Sequence, residues 1–111
     1  LPPLLDDGHL GLNEPGEYLQ APVHKAVLAE STRGHLMVAD SAYKPEYGIT
    51  LGMKDILSSK KILLLVNGAH KKAVMTEFLT GKVSTQLPAS FLWLHPDVTC
   101  MCDREAMPDQ T

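Results

Sequence analysis

Residues 61–68 read Lys-Ile-Leu-Leu-Leu-Val-Asn-Gly, an apolar run of strand length that ends at a glycine. A strand that is apolar on both faces belongs in the interior of a parallel sheet covered by helices. After Gly68, the segment 71–80 carries apolar pairs at i and i+4, and Gly81 stands where a helix C-terminal cap belongs. The run therefore predicts a buried strand that leads directly into a helix.

The segments on either side continue this alternation of strands and helices. The other predicted elements are a strand at residues 23–28, a helix from Ile49 to Leu57, a short helix from Pro88 to His95 and a strand at residues 97–102. This order predicts an α/β fold, part of a doubly wound, mostly parallel, Rossmann-like sheet of about three strands with flanking helices. So few strands cannot cover both faces and both edges of such a sheet, which favours half of a domain.

The composition limits the classes of partner. The chain has 111 residues, 44% hydrophobic and 21% charged, and its net charge is −3. Because the basic residues are scattered, neither nucleic acid nor an anionic membrane is an expected partner. No apolar run approaches the ~20 residues that a membrane span requires.

The two cysteines indicate a redox compartment. Cys100 and Cys102 alternate with Met101 in the predicted last strand, so both face the same way. Residues this close along a strand are poorly placed to bridge each other, and no nearby His completes a zinc site. We predict buried, reduced thiols, which favours a cytoplasmic location.

A second stretch, residues 7–17, reads Asp-Gly-His-Leu-Gly-Leu-Asn-Glu-Pro-Gly-Glu. Its three glycines and one proline break both helix and strand, so it predicts a shaped loop. The loop carries Asp7, His9 and Glu14, whose carboxylates and imidazole suit proton transfer near neutral pH. The alternative, from the residues alone, is a solvated turn with an incidental histidine.

This loop and three later blocks resemble, in the same order, the glucosamine-6-phosphate deaminase and galactosamine-6-phosphate isomerase family. The later blocks are Gly-Ile-Thr-Leu-Gly-Met-Lys-Asp-Ile-Leu at 48–57, Ile-Leu-Leu-Leu-Val-Asn-Gly at 62–68 and Leu-Pro-Ala-Ser-Phe-Leu-Trp-Leu-His at 87–95. The first and last blocks are more similar to the galactosamine-6-phosphate isomerase branch. Because members are considerably longer, the resemblance implies that residues 1–111 form the C-terminal half of one enzyme domain. Residues 1–21 would then be the active-site loop region and residues 104–111 a loose tail.

The resemblance implies isomerisation of a 2-amino-2-deoxyhexose 6-phosphate to a ketose 6-phosphate, with loss of ammonia. Ring opening would fall to Asp7, His9 and Glu14, which match the family's acid, imidazole and glutamate. The implied partner is a small-molecule sugar phosphate without a cofactor, and formation of a homo-oligomer stays open. Asp7, His9, Glu14 and His24 could be drawn as metal ligands, but their spacing matches no known site and the family is metal-free.

The 6-phosphate would bind where the strand at 62–66 passes into the next helix. A strand that ends at Gly68 and runs into a helix offers backbone N–H groups and a positive dipole end to an anion. Lys71 adds a point charge and matches the family's phosphate-binding lysine, the alternative being a solvated lysine in a first helical turn. The deaminases also use an arginine near residues 31–35, where the alignment leaves both Arg33 and His35 as candidate substrate-binding residues.

Two other functions stay open. One is a non-catalytic remnant or sugar-phosphate-binding module of the same fold, because the family's C1–C2 proton-transfer aspartate lies in the half that this chain lacks. The other is a hydrolase similar to 6-phosphogluconolactonase, which shares Asp-Gly-His but not the Asn13-Glu14-Pro15 that follows here. The sequence does not decide between gluco and galacto substrates.

Overall fold

A computed structural model describes residues 8–28 and 46–109 of the chain. The strands are β1 His24–Val27, β2 Tyr47–Thr50, β3 Ile62–Val66 and β4 Val98–Cys102, and the α-helices are α1 Met53–Leu57 and α2 Lys72–Phe78. Two 3₁₀ helices, Ala69–Lys71 and Pro88–Leu94, precede α2 and β4 respectively. This succession confirms the predicted α/β class.

The strands β3 and β4 form a parallel pair, in which Leu64 lies beside Cys100 and Val66 beside Cys102. The buried faces of Leu64 and Val66 pack on a core that α2, the second 3₁₀ helix and the following turn supply. The other buried core residues are Val74, Met75, Phe78, Leu87, Ala89, Leu92 and Ala106. The strand at residues 61–66 and the helix that follows it are therefore confirmed.

The opposite face of β3 differs from the prediction. Leu63 and Leu65 are 57% and 62% exposed, so the described residues cover only one face of this strand. Successive strand residues point to opposite faces, and α2 covers one of them. For the described part of the chain, the prediction of burial on both faces is wrong.

The strands β1 and β2 form a separate antiparallel pair, with Lys25 opposite Ile49. The sequence predicts that Ile49 begins a helix, and this boundary is wrong, because Ile49 lies in β2 and α1 begins only at Met53. The spacing of Ile49 to the apolar residues that follow it fits a helix face. Spacing along the chain carries no information on the partner strand, β1, with which Ile49 pairs. With this pair, the described residues contain four strands, of which only β3 and β4 are parallel.

The turn after β4 is anchored, although the sequence predicts a loose tail from residue 104. Ala106 is completely buried, and its N–H donates to Asp103 Oδ1 at 2.9 Å. Aspartate side chains commonly accept from nearby backbone N–H groups in turns. Residues 103–106 therefore form a fixed turn on the core.

Cys100 and Cys102 are free thiols on the same face of β4, as the alternation predicts, and both are partly buried. Burial raises the pKa of the Cys100 thiol, and the neighbouring Cys102 raises it further. A raised pKa means that less of the reactive thiolate is present at a given pH.

We expect Cys102→Ser to accelerate alkylation of Cys100 at about pH 8 by less than ~10-fold. The substitution removes the repulsion between two thiolates but leaves the burial of Cys100, so the pKa falls only in part. Residue-resolved mass spectrometry after timed iodoacetamide treatment gives the rate. An unchanged rate would mean that burial alone sets the reactivity of Cys100.

Candidate active site

Four of the predicted site residues lie in the described part of the chain: His9, Glu14, Gly68 and Lys71. Asp7, Arg33 and His35 lie outside the described residues. The site is therefore built from the loop after Gly8 and from the connection between β3 and α2.

Gly8 seats the histidine loop on the core. Its carbonyl accepts the Ala89 N–H at 2.9 Å, and its φ of 73° lies in the left-handed region that favours glycine. A Cβ at Gly8 would lie 2.3 Å from Leu87 Cδ1 and 3.1 Å from Val74 Cγ2. The loop thus lies directly against α2 and the second 3₁₀ helix, and this close approach requires a glycine.

His9 is buried at 5% exposure, and its Nδ1 lies 2.7 Å from the carbonyl oxygen of Gly11. A carbonyl oxygen can only accept, so Nδ1 carries the hydrogen and Nε2 is the basic nitrogen of the neutral ring. The contact fixes both the tautomer and the plane of the imidazole. His9 is therefore not a solvated side chain, and its role in proton transfer stays a prediction.

The turn that follows is held by Asn13, for which the sequence predicts no role. Leu10 and Asn13 exchange backbone hydrogen bonds at 3.2 and 2.8 Å, with Gly11 at a φ of 57° between them. The buried Asn13 amide donates to the carbonyls of Leu10 at 3.0 Å and Leu51 at 2.8 Å. Because Asn13 ties the loop to the end of β2, it fixes the direction in which Glu14 leaves the turn.

Thr50, the last residue of β2, makes a second tie. Its hydroxyl oxygen accepts the Leu12 N–H at 3.1 Å, and a Cβ at Gly11 would lie 2.8 Å from the same oxygen. Thr50 and Asn13 both occur in the blocks that carry the family resemblance. Their place in these blocks is the one feature of the sequence that could have indicated their part in holding the loop. The turn is thus clamped onto β2 at two points.

His9 and Glu14 line different cavities. His9 borders a largely apolar cavity of about 540 Å³, together with Thr50 and the exposed leucines of β3. Glu14, which is half-buried, borders a cavity of about 370 Å³ with residues 15–20 and β1. Within the described residues, the turn joins the two side chains but does not place them on one cavity.

Lys71 is almost completely buried, with 1% of its surface exposed. It ends the first 3₁₀ helix and stands immediately before α2. The alternative of a solvated lysine is therefore wrong. Val74, which Gly8 approaches, follows Lys71 by about one helical turn, so the histidine loop and Lys71 lie at the same end of α2.

The Gly68 backbone N–H is already engaged. It donates to both carboxylate oxygens of Asp103, at 3.2 and 3.1 Å. The donor that the sequence predicts for a phosphate is thus taken by Asp103, which immediately precedes the predicted tail. The reason is tertiary, because parallel pairing brings the carboxyl ends of β3 and β4 together.

No helix in the described ranges is long and apolar enough to cross a membrane. Within residues 8–28 and 46–109, no three His, Cys, Asp or Glu side chains are grouped so as to hold a metal ion.

Known proteins match this chain over most of its length. AgaI, a candidate deaminase of Escherichia coli (strain K12), is 50% identical over 95 residues, which are 86% of this chain and 38% of AgaI. Glucosamine-6-phosphate deaminase 1 of Bacillus subtilis (strain 168) is 42% identical over 104 residues, 90% of this chain and 42% of that protein. The solved structure of a monomeric glucosamine-6-phosphate deaminase superposes with a TM-score of 0.83 at 40% identity, covering 93% of this chain and 44% of the other.

A buried histidine and a buried lysine lie near the carboxyl end of a parallel βαβ unit in an α/β protein, which is where ligands commonly bind in such folds. Residues 22–101 match the family of glucosamine-6-phosphate isomerases/6-phosphogluconolactonase. The chain belongs to this family, which confirms the resemblance seen in the sequence. It spans about two fifths of the curated relatives, 38% of AgaI and 42% of the B. subtilis deaminase.

Proposed function

We propose that the complete gene product carrying this chain is an amino-sugar phosphate isomerase and deaminase. It converts galactosamine 6-phosphate or glucosamine 6-phosphate, with water, into a ketose 6-phosphate and ammonia. Relatives named as deaminases, two of them for glucosamine 6-phosphate, support this substrate class. The observation that carries the proposal is the buried imidazole of His9, whose Nδ1 contact leaves Nε2 as the basic nitrogen.

His9 opens the sugar ring in this proposal. Nε2 takes the proton from the anomeric O1 and returns a proton to the ring oxygen O5, while the C1–O5 bond breaks and the C1 carbonyl forms. An imidazole suits both transfers because its ordinary pKa lies near neutral pH. Asp7 and Glu14 complete the ring-opening set, as the family resemblance implies.

Lys71 binds the 6-phosphate in this proposal. Its ammonium is carried on a buried stem next to the first turn of α2, where backbone dipoles also favour an anion. Gly68 shapes the connection through its positive φ of 97° rather than through its N–H, which Asp103 holds. Arg33 and His35 stay candidate substrate-binding residues.

We expect Lys71→Met to weaken binding of the sugar phosphate roughly 10–150-fold, the value of a charge-assisted contact of about 1.5–3 kcal/mol. Methionine keeps the apolar stem, and the melting temperature is measured in parallel so that a loss of affinity is distinguished from a loss of fold. Titration with inorganic phosphate should show a similar loss, because the site binds the dianion.

The matched control for this substitution is Lys72→Met. Lys72 is the next residue, its side chain is 40% exposed and its ammonium lies 3.3 Å from Asp109. The Lys72→Met variant should bind phosphate with the same affinity as the parent protein. If Lys71→Met binds the sugar phosphate as tightly as the parent protein, Lys71 is not a phosphate contact.

A sugar-phosphate-binding module of the same fold, without turnover, is the second candidate. The phosphogluconolactonase alternative is disfavoured, because Asn13-Glu14-Pro15 departs from those hydrolases and Asn13 is the residue that holds the loop. We further propose a cytoplasmic location. Homo-oligomer formation gains no support from the structural neighbour, which is described as monomeric.

The deciding experiment supplies the complete gene product with galactosamine 6-phosphate, glucosamine 6-phosphate and 6-phosphogluconolactone. Coupled detection of ammonia and ketose phosphate is expected with at least one amino sugar. Lactone hydrolysis without ammonia would replace the deaminase proposal with the hydrolase, whereas tight binding without turnover would favour the module.

A further inference from the structure

Asp103 lies at the carboxyl edge of the parallel pair, immediately after β4. Its backbone N–H donates to the Val66 carbonyl at 3.2 Å, which continues the pairing of β4 with β3 by one residue. The side chain thus stands beside the connection from β3 to α2, which carries Lys71.

The Asp103 carboxylate is held in place although the residue is exposed. Oδ1 accepts from both the Gly68 and the Ala106 N–H groups, and Oδ2 accepts from Gly68 as well. Ala106 is completely buried in the core. One carboxylate therefore links the start of the Lys71 connection to a residue that cannot move without disturbing the core.

Gly68 transmits this link to Lys71. Its carbonyl accepts the Lys71 N–H at 3.1 Å, while its own N–H is bound by Asp103. Gly68 has φ 97° and ψ 148°, a region that is essentially open only to glycine. Because glycine can adopt many other conformations, a partner on its N–H is what selects this one.

We propose that Asp103 is a positioning residue for the phosphate site, which acts by fixing Gly68 and through it the backbone of Lys71. The inference rests on the proposed function in taking Lys71 as the phosphate contact. It also explains how an aspartate can lie beside an anion site: the carboxylate is committed to backbone N–H groups that shape the connection.

The test compares Asp103→Ala, Asp103→Asn and the parent in the complete gene product. We expect Asp103→Ala to weaken inorganic phosphate binding about 5–10-fold, since net hydrogen-bond contributions are of that order. KM for the amino-sugar phosphate should rise with it, while kcat changes less. Asp103→Asn should retain part of the phosphate affinity that Asp103→Ala loses, because the asparagine amide oxygen can still accept from Gly68 and Ala106 in the place of Oδ1.

Two further variants separate positioning from a general loss of structure. Asp109→Ala removes a carboxylate near the start of α2, where it pairs with Lys72, and should leave phosphate affinity unchanged. In a Lys71→Met background, Asp103→Ala should cost little further affinity, because the group that it positions is gone.

The outcomes are distinguishable from failure of the proposed function. Equal losses of affinity on Asp103→Ala with and without Lys71, or no loss at all, would overturn the positioning role even if the enzyme turns over amino sugars. The parent protein can also bind phosphate without turning over amino sugars. If Asp103→Ala then weakens phosphate binding only when Lys71 is present, the positioning role is supported and the enzyme proposal is overturned. A parent that turns over amino sugars but does not bind phosphate would overturn the Lys71 site and with it the positioning role, and would leave the enzyme proposal standing.

Discussion

His9→Gln in the complete gene product is expected to lower kcat for the closed amino sugar by ~10²–10⁴-fold, the usual contribution of one general acid–base group. Glutamine can still donate to the Gly11 carbonyl that now binds Nδ1 at 2.7 Å, so the loop keeps its shape. What it lacks is a nitrogen that gains and loses a proton near neutral pH. Steady-state ammonia release measures the loss.

An open-chain substrate analogue separates ring opening from later steps. It bypasses the step that His9 serves, so its turnover should fall far less than that of the closed sugar. His24→Gln is the matched control, because His24 also contacts a carbonyl two residues away, that of Pro22 at 2.7 Å, but lies in β1. Equal losses on closed and open-chain substrates would give His9 a role other than ring opening.

The 111-residue chain by itself is expected to release no measurable ammonia from either amino-sugar phosphate. After ring opening, moving the proton from C2 to C1 needs a positioned carboxylate. The family resemblance implies that this aspartate lies N-terminal to the region that the chain matches. Both exposed leucines of β3, Leu63 and Leu65, also border the cavity next to His9, so the described residues leave that side of the site open.

The measurement is a coupled ammonia assay on rigorously purified chain, with the B. subtilis deaminase as the positive control. Circular dichroism establishes in parallel that the chain is folded. Ammonia above the buffer blank from folded, pure chain would contradict the expectation, and would place every group needed for turnover within these 111 residues.

Some features followed directly from local sequence. Five consecutive apolar residues at 62–66 predicted β3, and Gly68 and the i, i+4 pairs predicted the helix that follows. The glycines and the proline of residues 7–17 predicted a shaped loop around His9, because such residues exclude regular structure. These elements could be predicted because they depend on neighbouring residues in the chain and not on contacts with distant segments.

Ile49 shows where local pattern fails. Its spacing to Met53 and Ile56 fits one face of a helix, yet it pairs with Lys25 in a strand. Apolar spacing cannot distinguish a helix face from the end of a strand next to a helix, because only the partner strand decides. The exposure of Leu63 and Leu65 is of the same kind, since it depends on what lies against β3.

Short contiguous stretches of sequence were therefore sufficient to predict the βαβ unit, the family and the acid–base and phosphate candidates. The tautomer of His9, the burial of Lys71 and the hydrogen bond from Gly68 to Asp103 became visible only in the folded chain. The last contact joins residues 35 positions apart. Such contacts arise when parallel strands bring distant chain segments to one edge, and no local periodicity encodes them.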